Sequence, residues 1–230
     1  MIGNNVYGGG NSKKTTNSLG YISDNIIYHL DGLYNLGGYS HNSNLTQSWI
    51  SLNNKTCYRL NSTNNITGDN YYQTLSTDVY TALNCNSLSL TKFTIEIVYS
   101  WINDINNTNY ICSNFAGDGG LGLYSRNNIH KFTIYNSSSN FVMINGLNTI
   151  SANKIYSIQG VFDGSKILLF ENGIKQGEAN VAYLYNSTSD FFIGKNCSLK
   201  CYSFRLYNSA LTESQLLQNY NIDNQRYLIN

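Results

Sequence analysis

The sequence contains few charged residues. Only 12% of its 230 residues are Asp, Glu, Lys or Arg, and the formal net charge is +1. Proteins that bind nucleic acid or an anionic membrane surface by charge need a basic patch, which this composition does not favour. We therefore expect neither nucleic acid nor a membrane among the partners of this chain.

Long apolar runs are also missing. No stretch approaches the roughly 18 apolar residues that a membrane-spanning helix needs. The beginning of the chain, MIGNNVYGGGNSKKTTNSLGY, lacks the apolar core of a signal peptide. These two absences predict a soluble protein that is not exported through a signal peptide.

The first 24 residues show no sustained periodicity and are rich in Gly and Asn. They predict an extended arm, residues 1–24, ahead of a single domain over residues 25–230. An arm of this kind can dock on another protein. Its candidate attachment residues are Val6, Tyr7, Lys13 and Lys14.

Proline is absent, and Asn is the most frequent residue, which is typical of nucleotide bias in an A/T-rich genome. The 20 Tyr and 9 Phe nevertheless supply more buriable surface than a disordered chain has. The 5 cysteines are scattered and odd in number, which argues against a disulfide framework. We expect buried thiols in a reducing compartment.

The clearest structural pattern lies between Ile155 and Gly177. Two short apolar runs in this stretch end at Asp163-Gly164 and at Asn172-Gly173. Both dipeptides readily adopt the positive φ angles of two-residue type I′ hairpins. The stretch therefore predicts a meander of three antiparallel strands.

Further short strands are predicted on both sides of this meander. The run from Lys92 to Ile102 alternates apolar and polar residues, which predicts a half-buried strand whose polar face, with Glu96, points toward solvent or a ligand. Trp49 is interpreted as a core anchor rather than a ligand platform. Thr212 and Gln215 have capping-box spacing, so one short helix is expected near the end of the chain.

The order FDGSKILLFENGIKQG, then FFIGKN, then YSFRLYNSALTESQLLQNY resembles the C-terminal half of laminin-G-like domains of the concanavalin-A-like lectin and glucanase superfamily. The earlier run LDGLYNLGGYSHNSNLTQSWISLNN looks like the opening of such domains in structural proteins of bacteriophages. Together these stretches cover roughly residues 26–222. The resemblance implies an all-β fold, a two-sheet antiparallel jelly-roll sandwich with one short C-terminal helix.

Glucanases of this superfamily carry a Glu-x-Asp-x-x-Glu triplet, because two carboxylates must flank one glycosidic bond at about 5 Å. The chain has no such triplet, and its only glutamates are Glu96, Glu171, Glu178 and Glu213. Gly117, Gly119 and Gly122 match a dinucleotide-binding spacing, but a strand rather than a helix is predicted to follow them. We therefore expect no enzymatic activity and assign no catalytic residue.

Binding of sugar is the chemistry that the resemblance favours. Sugar rings stack on aromatic side chains, and their hydroxyl groups bond amide, carboxylate and guanidinium groups. The candidate glycan-binding residues are Tyr99, Trp101, Asn114, Tyr124 and Arg126. Related domains often bind Ca²⁺ through loop oxygens, which makes Asp118 a candidate ligand, although an ordinary solvated loop acid is the alternative.

The resemblance implies a non-enzymatic structural protein of a bacteriophage, either a capsid decoration protein or a tail-associated protein. Such a protein would be assembled in the cytoplasm of a bacterial host and displayed on the virion surface. Its partners would be other virion proteins, bound through the arm, and cell-surface or mucosal polysaccharides. A free-standing carbohydrate-binding module is the alternative, and a glycosidase ranks below both.

Overall fold

The computed structural model describes residues 12–40, 48–60, 70–74, 80–83, 90–102, 108–115, 119–187, 189–195 and 197–229. Within these ranges the chain is mainly β-structure. The elements in chain order are a 3₁₀ turn at Asn17–Leu19, then β1 Ile26–Asp31, β2 Ser48–Ile50, β3 Thr56–Leu60, β4 Tyr72–Thr74, β5 Tyr80–Leu83, β6 Phe93–Trp101, β7 Asn109–Ser113, β8 Leu121–Arg126, β9 Ile129–Tyr135, β10 Phe141–Thr149, β11 Ile155–Phe162, β12 Lys166–Glu171, β13 Ile174–Asn180, β14 Phe191–Lys195, β15 Leu199–Tyr207 and helix α1 Glu213–Tyr227.

The strands form two antiparallel sheets. The first sheet has the order β1-β15-β6-β11-β12-β13, with β4 also paired to β15. The second has the order β10-β9-β8-β7-β14-β5-β3-β2. Apolar side chains from both sheets, such as Ile97 and Phe204 on the first and Leu123 and Phe132 on the second, belong to one buried cluster. This confirms the predicted jelly-roll-like sandwich with one C-terminal helix.

The hairpin between β12 and β13 has the predicted two-residue turn. Glu171 pairs with Ile174, and both Asn172 (φ 49°) and Gly173 (φ 76°) lie in the left-handed region, as a type I′ turn requires. The turn between β11 and β12 reverses the chain as predicted but is longer. Phe162 pairs with Ile167, and Oδ1 of Asp163 accepts hydrogen bonds from backbone N–H groups beyond it. The two-residue form predicted there is wrong, because the Asp side chain closes a wider loop.

Helix α1 begins with the predicted capping box. Thr212 Oγ1 accepts a hydrogen bond from Gln215 N, and Gln215 Oε1 accepts one from Thr212 N. These bonds satisfy backbone donors that the first turn of a helix leaves free. Leu216 is buried against the first sheet, where it joins Val161 and Phe170 in an apolar cluster.

Polar contacts complete the packing of α1 on this sheet. Arg205 of β15 donates through Nε to Oε2 of Glu96 on β6 at 2.6 Å and through Nη1 to Oδ1 of Asp223 on the helix at 3.0 Å. Asn219 Nδ2 donates to the same Glu96 oxygen at 2.8 Å. All nine residues of β6 are buried. The prediction that its polar face points to solvent or a ligand is therefore wrong, because α1 covers that face.

The predicted interior residues are in the core. Trp49 is buried, its ring packs on that of Tyr72, and its indole N–H donates to the carbonyl of Asp31. Cysteines 57, 112, 197 and 201 are buried free thiols, and Cys85 lies outside the described residues. No helix in the described ranges is long and apolar enough to cross a membrane.

The end of the predicted arm packs on its own domain. The backbone N–H of Lys14 donates to the carbonyl of Gly38, and Lys13 Nζ donates to Asn54 Oδ1. Tyr21 is buried and donates through its hydroxyl to Asp223 on α1. Val6 and Tyr7 lie outside the described residues. The described end of the predicted arm thus contacts the domain of the same chain.

Candidate functional site

The outer face of the second sheet carries a groove formed by strands β7 to β10. Along β8 and β9 the residues alternate, so that Leu123 and Phe132 point into the core while Tyr124 and Thr133 point outward. No described element covers this part of the outer face. The groove has a volume of about 500 Å³, within the usual range for ligand sites. Its lining residues are Thr108, Tyr110, Phe115, Tyr124, Arg126, Thr133, Tyr135 and Phe141, and we call it the aromatic groove.

Phe115 links the aromatic side chains of this groove. Its ring centroid lies 5.9 Å from that of Tyr110, 6.1 Å from Tyr124 and 5.6 Å from Tyr135, each in an edge-to-face arrangement. Phe141 extends the row, 5.6 Å from Tyr135. These rings hold one another in place and leave an aromatic surface in contact with solvent.

A glycine makes room for the Phe115 ring. A Cβ atom at Gly122 on β8 would lie 2.7 Å from Cε2 of Phe115 and 2.7 Å from Cβ of Ser113. Contacts this short are not tolerated, so any larger residue at position 122 would displace the ring or the strand. The sequence Leu-Gly-Leu in β8 therefore shapes the groove locally.

The polar groups of the groove are fixed in orientation. Thr133 Oγ1 donates to the hydroxyl of Tyr124 at 3.3 Å, and that hydroxyl donates to Sδ of Met143 at 3.0 Å. Burial raises the pKa of Tyr124 above its ordinary value, so the phenol stays neutral at physiological pH. The site thus combines rings with hydroxyl groups that can exchange hydrogen bonds with a polar ligand.

Two cations accompany these groups. Arg126, at the end of β8, is exposed and lines the groove. Lys131 is paired across the strands with Tyr124 and lies on the same face of β9 as Thr133. Its ammonium group donates to Asn145 Oδ1 on β10. Burial, followed by repulsion from Arg126, lowers the pKa of Lys131.

The structure brings together only part of the predicted glycan site. Tyr124 and Arg126 line the groove. Asn114 immediately precedes Phe115, and its side-chain oxygen accepts from the backbone N–H of Leu121, so it fixes the loop. Tyr99 and Trp101 lie on β6, fully buried between the sheets. They cannot contact a ligand at the surface.

Sequence analysis missed most of the aromatic lining, namely Tyr110, Phe115, Tyr135 and Phe141. Part of the signal was present in the run KFTIYN. If Phe132 and Ile134 face the core, then Lys131, Thr133 and Tyr135 must face outward on the same side. The contribution of Phe115 had no such signal, because this residue lies after the end of β7.

The buried carboxylates Glu96 and Glu171, both on strands of the first sheet, belong to separate networks. Glu96 lies under α1 with Arg205. Oε2 of Glu171 lies 2.7 Å from Nδ1 of His130, and the other ring nitrogen of His130 lies 2.5 Å from the hydroxyl of Tyr99. The groove lining contains no carboxylate. No acid pair therefore flanks this groove among the residues that the structure describes.

The calcium hypothesis concerns a loop that is only partly described. Asp118 lies outside the described residues, and the side-chain oxygen of Asn114 is bonded to backbone. In the described part of the chain, no three or more His, Cys, Asp or Glu side chains are grouped so that they could hold a metal ion.

Comparison with known proteins identifies the family. A model of the concanavalin A-like lectin/glucanases superfamily matches residues 75–216, more than half of the chain. Among curated proteins, no sequence relative matches.

Solved structures share the fold at low sequence identity. The receptor-binding domain of botulinum neurotoxin C/D mosaic serotype has a TM-score of 0.66 at 14% identity, over 87% of this chain and 52% of that chain. The binding domain of botulinum neurotoxin DC, in complex with SialylT, has a TM-score of 0.64 at 13% identity, over 87% of this chain and 51% of the other. Trypanosoma rangeli sialidase has a TM-score of 0.64 at 13% identity, over 90% of this chain and 34% of the sialidase. The chain thus spans about half the length of the toxin domains.

Proposed function

The chain belongs to the concanavalin A-like lectin/glucanases superfamily, and from this premise we propose that it is a glycan-binding module whose ligand lies in the aromatic groove. The observation that carries the proposal is the row of rings joined by Phe115, open to solvent and bordered by hydroxyl and guanidinium groups. Exposed rings offer a stacking surface for the apolar faces of sugars. Hydroxyl and guanidinium groups then select the orientation of the ligand.

Two structural neighbours support this proposal. One toxin chain with the same fold is a receptor-binding domain, and another is a binding domain in complex with SialylT. The fold also occurs in a chain named as a sialidase. The groove of this chain offers no paired carboxylates among its lining residues, so we favour binding over hydrolysis.

Glycan-array binding followed by titration calorimetry tests the proposal. Tyr135→Ala should lower the affinity for any glycan that is bound about ten-fold, since a central aromatic contact contributes about 1–2 kcal/mol. Tyr39→Ala is the matched control, because Tyr39 is exposed but lies outside the groove. Absence of binding to every glycan, or equal losses in both variants, would overturn the proposal. Release of reducing ends from a bound glycan would instead assign a hydrolase.

We further propose that this module is a non-enzymatic structural protein of a bacteriophage particle, on the capsid as a decoration or on the tail. The support is the resemblance of the run LDGLYNLGGYSHNSNLTQSWISLNN to the opening of such domains in structural proteins of bacteriophages. In this role the protein is assembled in the bacterial cytoplasm, attached to other virion proteins, and displays the groove at the virion surface. Residues 1–11 are then the attachment segment, because residues 13, 14 and 21 contact the domain itself.

Two truncations of the arm distinguish an effect on attachment from an effect on the stability of the domain. Deletion of residues 1–11 should abolish incorporation into particles and leave the unfolding transition of the domain unchanged. Deletion of residues 1–24 should also destabilise the domain, because it removes the buried Tyr21 and its bond to Asp223. If particles incorporate the protein that lacks residues 1–11 normally, the arm is excluded as the attachment device. A protein that binds glycan but enters no particle would be a free-standing carbohydrate-binding module.

A further inference from the structure

We propose that the aromatic groove selects an acidic saccharide and places an anionic substituent of the sugar beside Arg126 and Lys131. This inference rests on the proposed glycan-binding function and narrows it to a class of ligand. The shared chemistry is a carboxylate, sulfate or phosphate group on a sugar ring. The groove would then discriminate acidic from neutral glycans of the same backbone.

Arg126 and Lys131 both lie next to Tyr124. Arg126 ends β8 and lines the groove beside Tyr124, which lies two residues earlier on the same face. Lys131 pairs directly with Tyr124 on the neighbouring strand. The two cations therefore flank one ring of the aromatic surface. A sugar stacked on that ring would hold its substituents within reach of both side chains.

Lys131 is unusually buried for a lysine. Of the lysines in the described part of the chain, only Lys131 is buried, with 7% of its surface exposed. Long charged side chains normally keep their charge in water. This one ends against the amide oxygen of Asn145 rather than a carboxylate. An amide oxygen accepts a hydrogen bond from the ammonium group but supplies no negative charge to balance it.

Arg126 and Lys131 differ from Arg205 and Arg226 in having no carboxylate partner among the described residues. Elsewhere in the described ranges, buried or part-buried guanidinium groups face carboxylates, as Arg205 faces Glu96 and Arg226 faces Asp31 at 2.6 Å. Neither Arg126 nor Lys131 has an ion pair with any residue that the structure describes. Repulsion from Arg126 also contributes to the lowered pKa of Lys131. An anion at this position would relieve that repulsion and gain charge-assisted hydrogen bonds.

Matched neutral and acidic ligands test the inference. The probes are dextran against dextran sulfate, lactose against sialyl-lactose, and glucose against glucose 6-phosphate, which separate sulfate, carboxylate and phosphate. Affinity is measured by calorimetry at low and at high salt. In at least one pair the acidic member should bind about ten-fold more tightly, as expected for one charge-assisted contact. Salt should weaken its binding more than that of the neutral member.

Charge-neutralising variants test whether the preference for acidic ligands depends on the cations of the groove. Arg126→Gln should remove the preference for the acidic member, because it should weaken the binding of the acidic member more than that of the neutral member. Lys131→Gln, which retains a donor toward Asn145, should reduce the preference in the same direction. Lys92→Gln removes the same charge at an exposed position just before β6 of the other sheet and should have no effect. Circular dichroism confirms that each variant is folded.

The outcomes distinguish the two proposals. If no saccharide binds, the proposed function itself fails. If neutral and acidic members bind equally, the glycan site stands and the acidic selectivity is overturned. The same conclusion follows if Lys92→Gln lowers affinity as much as Arg126→Gln, because binding would then follow net charge. Loss of the preference in the groove variants alone supports the inference.

Discussion

The guanidinium group of Arg205 donates to Oε2 of Glu96 at 2.6 Å, and both side chains are completely enclosed beneath helix α1. Their strands are adjacent, and residue 205 pairs directly with residue 96 across the ladder. Asp223 and Asn219 bring the helix into the same network. A charged cluster of this kind fixes where the helix lies on the sheet, because each buried charge depends on its partners.

Arg205→Met should therefore destabilise the fold strongly. It leaves Glu96 and Asp223 buried without a cation, which typically costs about 3–5 kcal/mol in the free energy of unfolding. Urea unfolding measures the loss. Lys175→Met is the matched control, because Lys175 pairs with Glu178 and Glu213 at the surface and should leave the unfolding midpoint almost unchanged. Similar midpoints for the two variants would contradict the role given to the buried pair.

Alternation in the sequence predicted the strand that holds Glu96 but not the burial of its polar face. That face is covered by α1. The hydrogen bonds of Glu96 with Arg205 and with Asn219 of α1 span 109 and 123 positions of the chain, respectively. Local patterns do not contain this information. The turns at Gly164 and Gly173 were predictable because their geometry depends on a few neighbouring residues. The longer loop at Asp163 shows that the type of turn is less predictable than its location.

Packing between distant parts of the chain also explains why only some of the predicted glycan-binding residues lie at the groove. Tyr99 and Tyr124 occur in similar alternating strands, yet β6 is covered on both faces and β8 on only one. Which strands have an open face depends on the order of strands in each sheet, which spacing along the chain does not specify. Tyr124 and Arg126 could thus be predicted as one site, whereas the exclusion of Tyr99 required the assembled sandwich.

Gly173→Ala should destabilise the β12–β13 hairpin and its contact with α1. Gly173 has a φ of 76°, and a Cβ atom there would lie 2.6 Å from Cδ1 of Tyr220 on the helix. Backbone strain of this kind costs about 1–3 kcal/mol, before the steric conflict is added. Thermal unfolding checks the prediction against Asn172→Asp, which keeps an oxygen that can accept from Ser157 N–H. If the alanine variant unfolds at the wild-type temperature, Tyr220 does not pack against this turn.

His29 should make stability depend on pH between about 6.5 and 5. The ring is fully buried, 5.0 Å from Tyr21 in an edge-to-face contact, with Nδ1 3.1 Å from Thr16 Oγ1. Burial, and then repulsion from Arg205 and Arg226, lowers its pKa well below the ordinary value. The folded state therefore keeps this ring neutral at a pH where the unfolded chain binds a proton.

Proton linkage determines whether stability rises or falls with pH. Below the unfolded pKa of about 6.5, the unfolded state binds more protons, so stability falls as pH falls, by up to about 1.4 kcal/mol per pH unit. In urea titrations at pH 7, 6 and 5, His29→Gln should show a shallower dependence than the wild type. The carboxylate of Asp31 lies 4.0 Å from Nε2 of His29 and is present in both proteins. Parallel profiles would show that His29 does not titrate on unfolding in this range.

Gly122→Ala should impair glycan binding through the position of Phe115. The added Cβ atom would lie 2.7 Å from the Phe115 ring and 2.7 Å from Ser113 Cβ, so the ring or the strand must shift. Overpacking of this kind costs about 1–3 kcal/mol of stability. Affinity should fall about ten-fold, as for loss of one central aromatic contact. Titration calorimetry with the glycan that binds most tightly on the array measures this loss of affinity.

Phe115→Ala provides the comparison for this variant, because it removes the ring without crowding the strands. If the position of the ring matters, both variants lose affinity to a similar degree, although their stabilities change for different reasons. Gly122→Ala combined with Phe115→Ala should then bind no more weakly than Phe115→Ala alone, since both changes act on one ring. Additive losses in the double variant would mean that Gly122 shapes the groove through Ser113 and β7 instead of through Phe115.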